Sequence, residues 1–222
     1  MKISCVIPVH NSERFLARSL DSVLAQTRPP DEVIVVDDGS TDGSAGILQR
    51  YGAAVSVITQ ANRGVSAARN AGLRRASGDA IAFQDSDDLW PSGRLAALAK
   101  ALGSDESADI VAGRVQMLDE RTEKPRSREN LETLHRLHNM PSLLIKRSVF
   151  DRVGHFNEGL RVAEDTEFVM RVRRHGITFK LIDEIAMLYR LHGGNISADI
   201  DRNQASAMEV FRALSLLRRR PQ

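Results

Sequence analysis

The sequence predicts an α/β fold with a mostly parallel central sheet flanked by helices, and three observations carry that prediction. Short, β-branched apolar runs alternate with amphipathic helical stretches over residues 1–102. Such alternation requires βαβ crossovers and therefore parallel strands. The runs stop at Pro, Asn, Asp or Gly, residues that end strands. The acidic turns fall at the ends of these strands, where open parallel sheets bind ligands.

The elements follow in order. Residues 3–9 read as a buried strand stopped by His10-Asn11. Asn11 or Ser12 caps a helix whose apolar stripe is Leu16, Leu20, Val23 and Leu24. After Pro29-Pro30 comes a second strand, 32–36, then an acidic turn, 37–43, and a short helix to about Tyr51. A third strand covers 54–59. A helix covers 63–76 and is closed by Gly78. A fourth strand, 80–83, runs into Gln84-Asp85-Ser86-Asp87-Asp88.

The second half is less regular. It offers strands at 110–118 and 140–145, a charged exposed loop at 119–130 and a helix at 165–175. Two short strands are expected within 178–191. An amphipathic helix is expected at 199–220, with Val210, Phe211, Leu214 and Leu217 on one side. Residues 1–102 and 103–222 thus form two halves of one domain.

Composition narrows the function classes. With 31 Lys and Arg against 29 Asp and Glu, the net charge of +2 gives no electrostatic reason for a nucleic-acid partner. The lone cysteine, Cys5, lies in an apolar run and cannot form an intrachain disulfide. An inert core thiol in a reducing, cytoplasmic compartment is the expectation. The N-terminus shows neither a basic leader nor a cleavage site, so no secretory signal is expected. No apolar stretch approaches the ~20 residues that span a bilayer. Arg212 with Arg218, Arg219 and Arg220 suits peripheral contact with an anionic inner membrane face, or simply complements a helix C-terminus.

Four groups of residues carry chemistry. Asp85, Asp87 and Asp88 crowd three acids at a strand end. A divalent cation relieves their repulsion, and hard carboxylate oxygens suit Mg²⁺ or Mn²⁺. The alternative is a solvated turn with Asp88 capping the next helix. In the turn after the second strand, a carboxylate of Asp37 or Asp38 can accept from a uracil-like N–H or a ribose hydroxyl. It can equally form an Asx turn, with Asp42 as a cap. Arg69 shares a helical face with Val65, Gly72, Leu73 and Ala76, so it points inward and needs a partner. A donor phosphate or a site carboxylate would serve. Asp165 lies at the buried edge of a helix start, where it can take a proton from a hydroxyl or stabilise the helix dipole.

Together, Val6-Ile7-Pro8-Val9-His10-Asn11, Val35-Val36-Asp37-Asp38-Gly39-Ser40-Thr41-Asp42, Gly64-Val65-Ser66-Ala67-Ala68-Arg69-Asn70, Asp85-Ser86-Asp87-Asp88 and Glu164-Asp165 resemble the GT-A-fold, family-2 inverting glycosyltransferases. So do Arg152-Val153-Gly154-His155-Phe156-Asn157-Glu158 and Tyr189-Arg190-Leu191-His192. The resemblance implies a Rossmann-like sheet in which 1–102 binds a nucleotide-diphosphate sugar, UDP-linked, and 103–222 binds a saccharide or lipid-linked acceptor. It implies Mn²⁺ or Mg²⁺ as cofactor. By the same resemblance, Pro8 and Asp38 line the nucleoside pocket and Arg69 contacts the nucleotide. Asp85 and Asp87 serve the donor and its metal, and Asp88 and His192 stand near metal and diphosphate. Asp165 is the general base, with Glu164 beside it. The chain departs from the pattern at His10, where tyrosine is frequent, and at Ala163, where glycine is common. Two rival readings are a nucleotidyltransferase and a non-catalytic nucleotide-sugar-binding protein. The first normally carries a Gly-rich basic loop, which residues 8–14 lack; the intact acid set argues against the second.

Overall fold

A computed structural model describes residues 1–119, 139–161 and 163–193. Residues 120–130 of the expected loop and the expected helix at 199–220 with its arginines lie outside these. Among the described residues no helix is long and apolar enough to cross a membrane.

The chain alternates strand and helix as its pattern requires. The order is β1 (Ile3–Val9), α1 (Leu16–Leu24), β2 (Glu32–Asp37), α2 (Ser44–Tyr51), β3 (Ser56–Thr59), α3 (Val65–Arg75), β4 (Ala80–Phe83) and α4 (Arg94–Gly103). Then follow β5 (Ile110–Asp119), β6 (Leu143–Lys146), α5 (Arg147–Val153), α6 (Glu164–Arg174) and β7 (Phe179–Leu191). The seven strands form one sheet in the order β3-β2-β1-β4-β6-β5-β7. Pairing is parallel from β3 to β4; β6 is antiparallel to both β4 and β5, and β7 is parallel to β5. Only β6 therefore opposes the common direction.

Both faces of the sheet are covered. One core gathers Val6, Ile34, Ile81 and Phe83 with α3, α5 and α6. The other gathers Ile3, Cys5, Ile7 and Val35 with α1, α2 and α4. Cys5 is fully buried, and burial pushes its thiol up to about 12, consistent with an inert group. Glycines permit the tightest approaches. A Cβ on Gly72 would lie 2.3 Å from Val6 Cγ1, so α3 packs directly on β1.

Several boundaries differ from the sequence reading, each for a local reason. The helical run of α1 starts at Leu16, later than a cap at Asn11 or Ser12 implies. Both of those side chains are engaged elsewhere: Asn11 Oδ1 accepts from Thr41 N at 2.8 Å, and Ser12 Oγ meets Ser86 Oγ at 2.6 Å. Residues Gly52–Ala54 form a 3₁₀ turn, so β3 begins at Ser56 rather than at 54. Helix α3 ends at Arg75, where Ala76 turns extended, and Gly78 is no cap. Instead, Gly78 N donates to Ser4 Oγ at 2.8 Å in a spot where a Cβ would strike Lys2 O. Met140–Ser142 are a 3₁₀ turn and β6 follows them. The two short strands expected within 178–191 are one long strand. Its register slips between Ala112↔Leu181 and Val115↔Met187, so the polar Asp183-Glu184 stretch is an irregularity within β7 and not a break. Gly113 permits it, since a Cβ there would meet Ala186 Cβ at 2.5 Å.

Candidate active site

The expected site residues gather at the carboxyl edge of the parallel strands. The loop after β4 is held from beneath by polar residues on α1 and just beyond its end. Ser19 Oγ donates to Asp85 O at 3.0 Å, and Ser22 Oγ accepts from Trp90 N at 3.1 Å. Gln26 donates to Pro91 O at 2.8 Å and accepts from Leu95 N at 3.0 Å. Gln84, fully buried, donates to Ser19 Oγ and to Asp88 O. The acid turn is therefore pinned by buried hydrogen bonds along its length, which fixes its shape.

From the other side, the end of β7 stitches onto the same turn. Leu89 and Leu188 exchange backbone hydrogen bonds at 3.1 and 2.9 Å. Arg190 N donates to Asp88 Oδ1 at 2.7 Å, and Arg190 Nε donates to Asp87 O at 3.0 Å. His192 Nε2 faces Asp87 Oδ2 at 3.0 Å, and the His192 ring lies 4.5 Å from that of Phe15. Asp88 does not cap α4, which starts only at Arg94; its carboxylate is directed to β7 instead. Burial raises Asp88 well above the usual carboxylate range, and the charges of Asp87 and Asp85 add to this.

Arg69 is the hub between the halves of the chain. Nη1 donates to Glu164 Oε1 at 2.8 Å and to Asp165 Oδ1 at 2.5 Å; Nη2 donates to Asp85 Oδ1 at 3.0 Å. Its guanidinium is 2% exposed and also lies over the Phe156 ring at 5.5 Å. The partners are thus the carboxylates that end β4 and begin α6. Next to it, Asn70 donates to Phe156 O at 2.9 Å and accepts from Phe156 N at 3.0 Å, fastening the segment that leads to α6. Burial raises Asp165 well above the ordinary range; the Arg69 charge works against that, while Glu164 and Asp85 push it further up. Burial likewise raises Asp85, against the pull of Arg69. Met140 N approaches Asp165 Oδ2 at 3.4 Å.

The start of α6 is strained. Ala163 at its N-cap has φ 60°, the left-handed region in which glycine is at ease. This gives the departure at Ala163 a structural meaning. Ala163→Gly is expected to raise stability by about 0.5–1 kcal/mol, read as a higher urea midpoint with an unchanged slope.

At the nucleoside end, Pro8 is buried at the tip of β1 and Asp38 follows β2. Asp37 makes the anticipated Asx turn by accepting from Ser40 N at 2.9 Å. Asp42 accepts from Ser44 N at the head of α2. Asp38 accepts from Gln60 Nε2, Arg63 N and Gly64 N, so it shapes the loop ahead of α3.

The structure brings Asp85, Arg69, Glu164 and Asp165 into one cluster, and Asp87, Asp88 and His192 into an adjoining one. The sequence reading missed Ser19, Gln84, Phe15 and Asn70. Ser19, Ser22 and Gln26 did carry a signal, since polar residues three and four apart beside the apolar stripe of α1 imply buried partners.

The chain matches glycosyl transferase family 2 over residues 4–166. It is 32% identical over 208 residues to glycosyltransferase EpsJ of Bacillus subtilis, covering 85% of this chain and 60% of that protein. It is 38% identical over 122 residues to glycosyltransferase GlyA of Streptococcus pneumoniae, covering 54% of this chain and 17% of that protein. Among solved structures, S. aureus TarS 1-349 in complex with UDP superposes with a TM-score of 0.71 at 26% identity, covering 86% of this chain and 61% of that one. The same protein in complex with UDP-GlcNAc superposes at 0.73 with 24% identity, covering 90% of this chain and 61% of that one, a likeness of fold. This chain spans less than two thirds of the length of each.

Proposed function

The chain belongs to glycosyl transferase family 2, and from that premise we propose that it transfers a sugar from a UDP-linked donor to an acceptor hydroxyl with inversion. The observation that carries the proposal is the Arg69 hub, which unites Asp85 at the end of β4 with Glu164 and Asp165 at the start of α6. The match to a TarS structure in complex with UDP supports the choice of donor. Residues 1–102 take the donor and the later residues the acceptor.

In the reaction, Asp165 Oδ2 accepts the proton of the acceptor hydroxyl. The hydroxyl oxygen attacks the anomeric carbon from the face opposite the diphosphate. The bond from that carbon to the diphosphate oxygen breaks, and its electron pair leaves with UDP. Arg69 favours the ionised form of Asp165 against its burial and fixes it in place, while Glu164 shares the same guanidinium. Pro8 and Asp38 shape the nucleoside end, and Asp85 and Asp87 face the diphosphate.

The residues fit a divalent cation. Asp87 Oδ2 and His192 Nε2 stand 3.0 Å apart. The carboxylate oxygen is the hard donor type that Mg²⁺ or Mn²⁺ would take. Among the described residues no group of three His, Cys, Asp or Glu side chains could hold a metal ion. Such an ion commonly takes one or two protein ligands and completes its shell with phosphate oxygens and water. Asp87 and His192 would hold it, with Asp88 buttressing the turn behind them. When bound, the ion would neutralise charge building on the departing diphosphate.

The test is calorimetry of UDP binding with and without Mn²⁺. Wild type is expected to bind UDP more tightly with the ion, and Asp87→Ala to lose about tenfold or more of that gain, a contact to a charged group being worth about 1.5–3 kcal/mol. Equal metal enhancement in the variant would remove Asp87 from the donor site.

A further inference from the structure

We infer that Arg94 is a positioning residue for the proposed transfer: it reaches from the helix after the acid turn to the 139–143 segment and sets where the Met140 N–H stands against Asp165. The role rests on the base assignment made above and adds the residue that tunes it. Arg94 opens α4, is 1% exposed and is the largest of the fully buried side chains. For stability alone it is a poor choice. A cation in the first turn of a helix opposes the helix dipole. Among the described residues no carboxylate pairs with it, and its Nε and Nη1 have no acceptor. Burial pulls its guanidinium down to about 9.

What the guanidinium holds is backbone. Its carbon lies 3.7 Å from the centre of the Trp90 ring, a cation–π stack. Nη2 donates to Pro141 O at 2.5 Å and to Leu143 O at 3.1 Å. Trp90 N donates to Ser22 Oγ and Leu95 N to Gln26 Oε1, so this end of α4 belongs to the frame beneath the acid turn. On the other side, the 139–142 turn closes on itself: Ser142 N and Oγ both donate to Asn139 O, at 3.0 and 2.8 Å. A turn closed in this way moves as a unit. Arg94 thus couples the frame of the acid turn to the segment that carries Met140.

Met140 N reaches Asp165 Oδ2 at 3.4 Å, the outer limit of a hydrogen bond. At that distance a small retreat of the turn breaks the contact. An N–H directed at a carboxylate favours its ionised form, so losing it raises Asp165. The charged groups facing Asp165 are Arg69 from α3, Asp85 from the end of β4 and Glu164 beside it on α6. Arg94 hydrogen-bonds to none of them, so its influence on Asp165 passes through the Met140 turn.

The experiment is a carboxyl-carbon NMR titration of Asp165 on the whole chain without ligand, its signal identified by its loss in Asp165→Asn, with the Met140 amide followed in the same samples. In wild type the Met140 amide resonance should move with the Asp165 midpoint. Arg94→Met should raise that midpoint by about half a pH unit or more and uncouple the Met140 amide from it. Arg94→Lys keeps the charge but offers a single nitrogen, so it should shift the midpoint less; it is the second variant if Arg94→Met does not fold. A lowered melting temperature with the midpoint unmoved would make Arg94 merely structural and overturn the inference. So would a raised midpoint that the Met140 amide still follows, or a wild-type Met140 amide indifferent to Asp165. Because no donor is present, failure of the base assignment appears separately, as full turnover in Asp165→Asn.

Discussion

Replacing Asp165 with asparagine is expected to lower kcat by about 10²- to 10⁴-fold, the range over which a positioned general base contributes, while UDP binding stays within about twofold. The separation follows from geometry. Asp165 lies on the α6 side of the hub, tied to Arg69 through Oδ1, while Met140 N approaches its Oδ2 at 3.4 Å. Asp87 and His192, which face the donor diphosphate in the proposed reaction, pair with each other and not with Asp165. Asparagine keeps the size of the side chain but cannot accept a proton at working pH. Single-turnover transfer from UDP-sugar, measured beside UDP calorimetry, provides both readings. Near wild-type turnover would exclude Asp165 as the base and leave the acid cluster without a catalytic role.

Arg69→Met should have the second large effect, on stability and catalysis together. The guanidinium is 2% exposed and is the shared cation of Asp85, Glu164 and Asp165. Removing one partner from a buried ionic group costs about 3–5 kcal/mol, because the charges left behind are uncompensated. The pH dependence fixes the sign of the catalytic effect. Burial raises Asp165, and Arg69 is the group that lowers it. Without Arg69, Asp165 rises further, so the ionised, proton-accepting form is reached only at higher pH. The acidic limb of kcat/KM should therefore move to higher pH in Arg69→Met. It should move less in Arg69→Lys, which retains a charge but cannot bridge three carboxylates. An unmoved limb in a folded Arg69→Met protein would separate Arg69 from the base.

Much of the fold was legible in the sequence because it is written in local terms. A run such as Ile3–Val9 can be nothing but a buried strand, and the acid turns after β2 and β4 end strands wherever the chain is placed. Parallel crossovers then fix where those turns lie, at one edge of the sheet. Arg69 was legible as an inward-pointing charge by helical periodicity alone. Its partners were not, because Asp85 is 16 residues away and Glu164 and Asp165 are 95 and 96 away.

The sequence by itself determined the strand–helix alternation of residues 3–83, the buried faces there, and which residues carry charge into the sheet edge. Only the tertiary structure decided how those charges are partnered. It gave Asp88 to the backbone of β7, Asp38 to the loop before α3, and Asp165 to Arg69. It also put Ala163 into a left-handed turn and made one bent strand of β7. The physical reason is range: strand and helix periodicity is set by neighbours two to four residues apart, whereas a buried carboxylate takes whichever donor the packed chain brings within hydrogen-bonding distance.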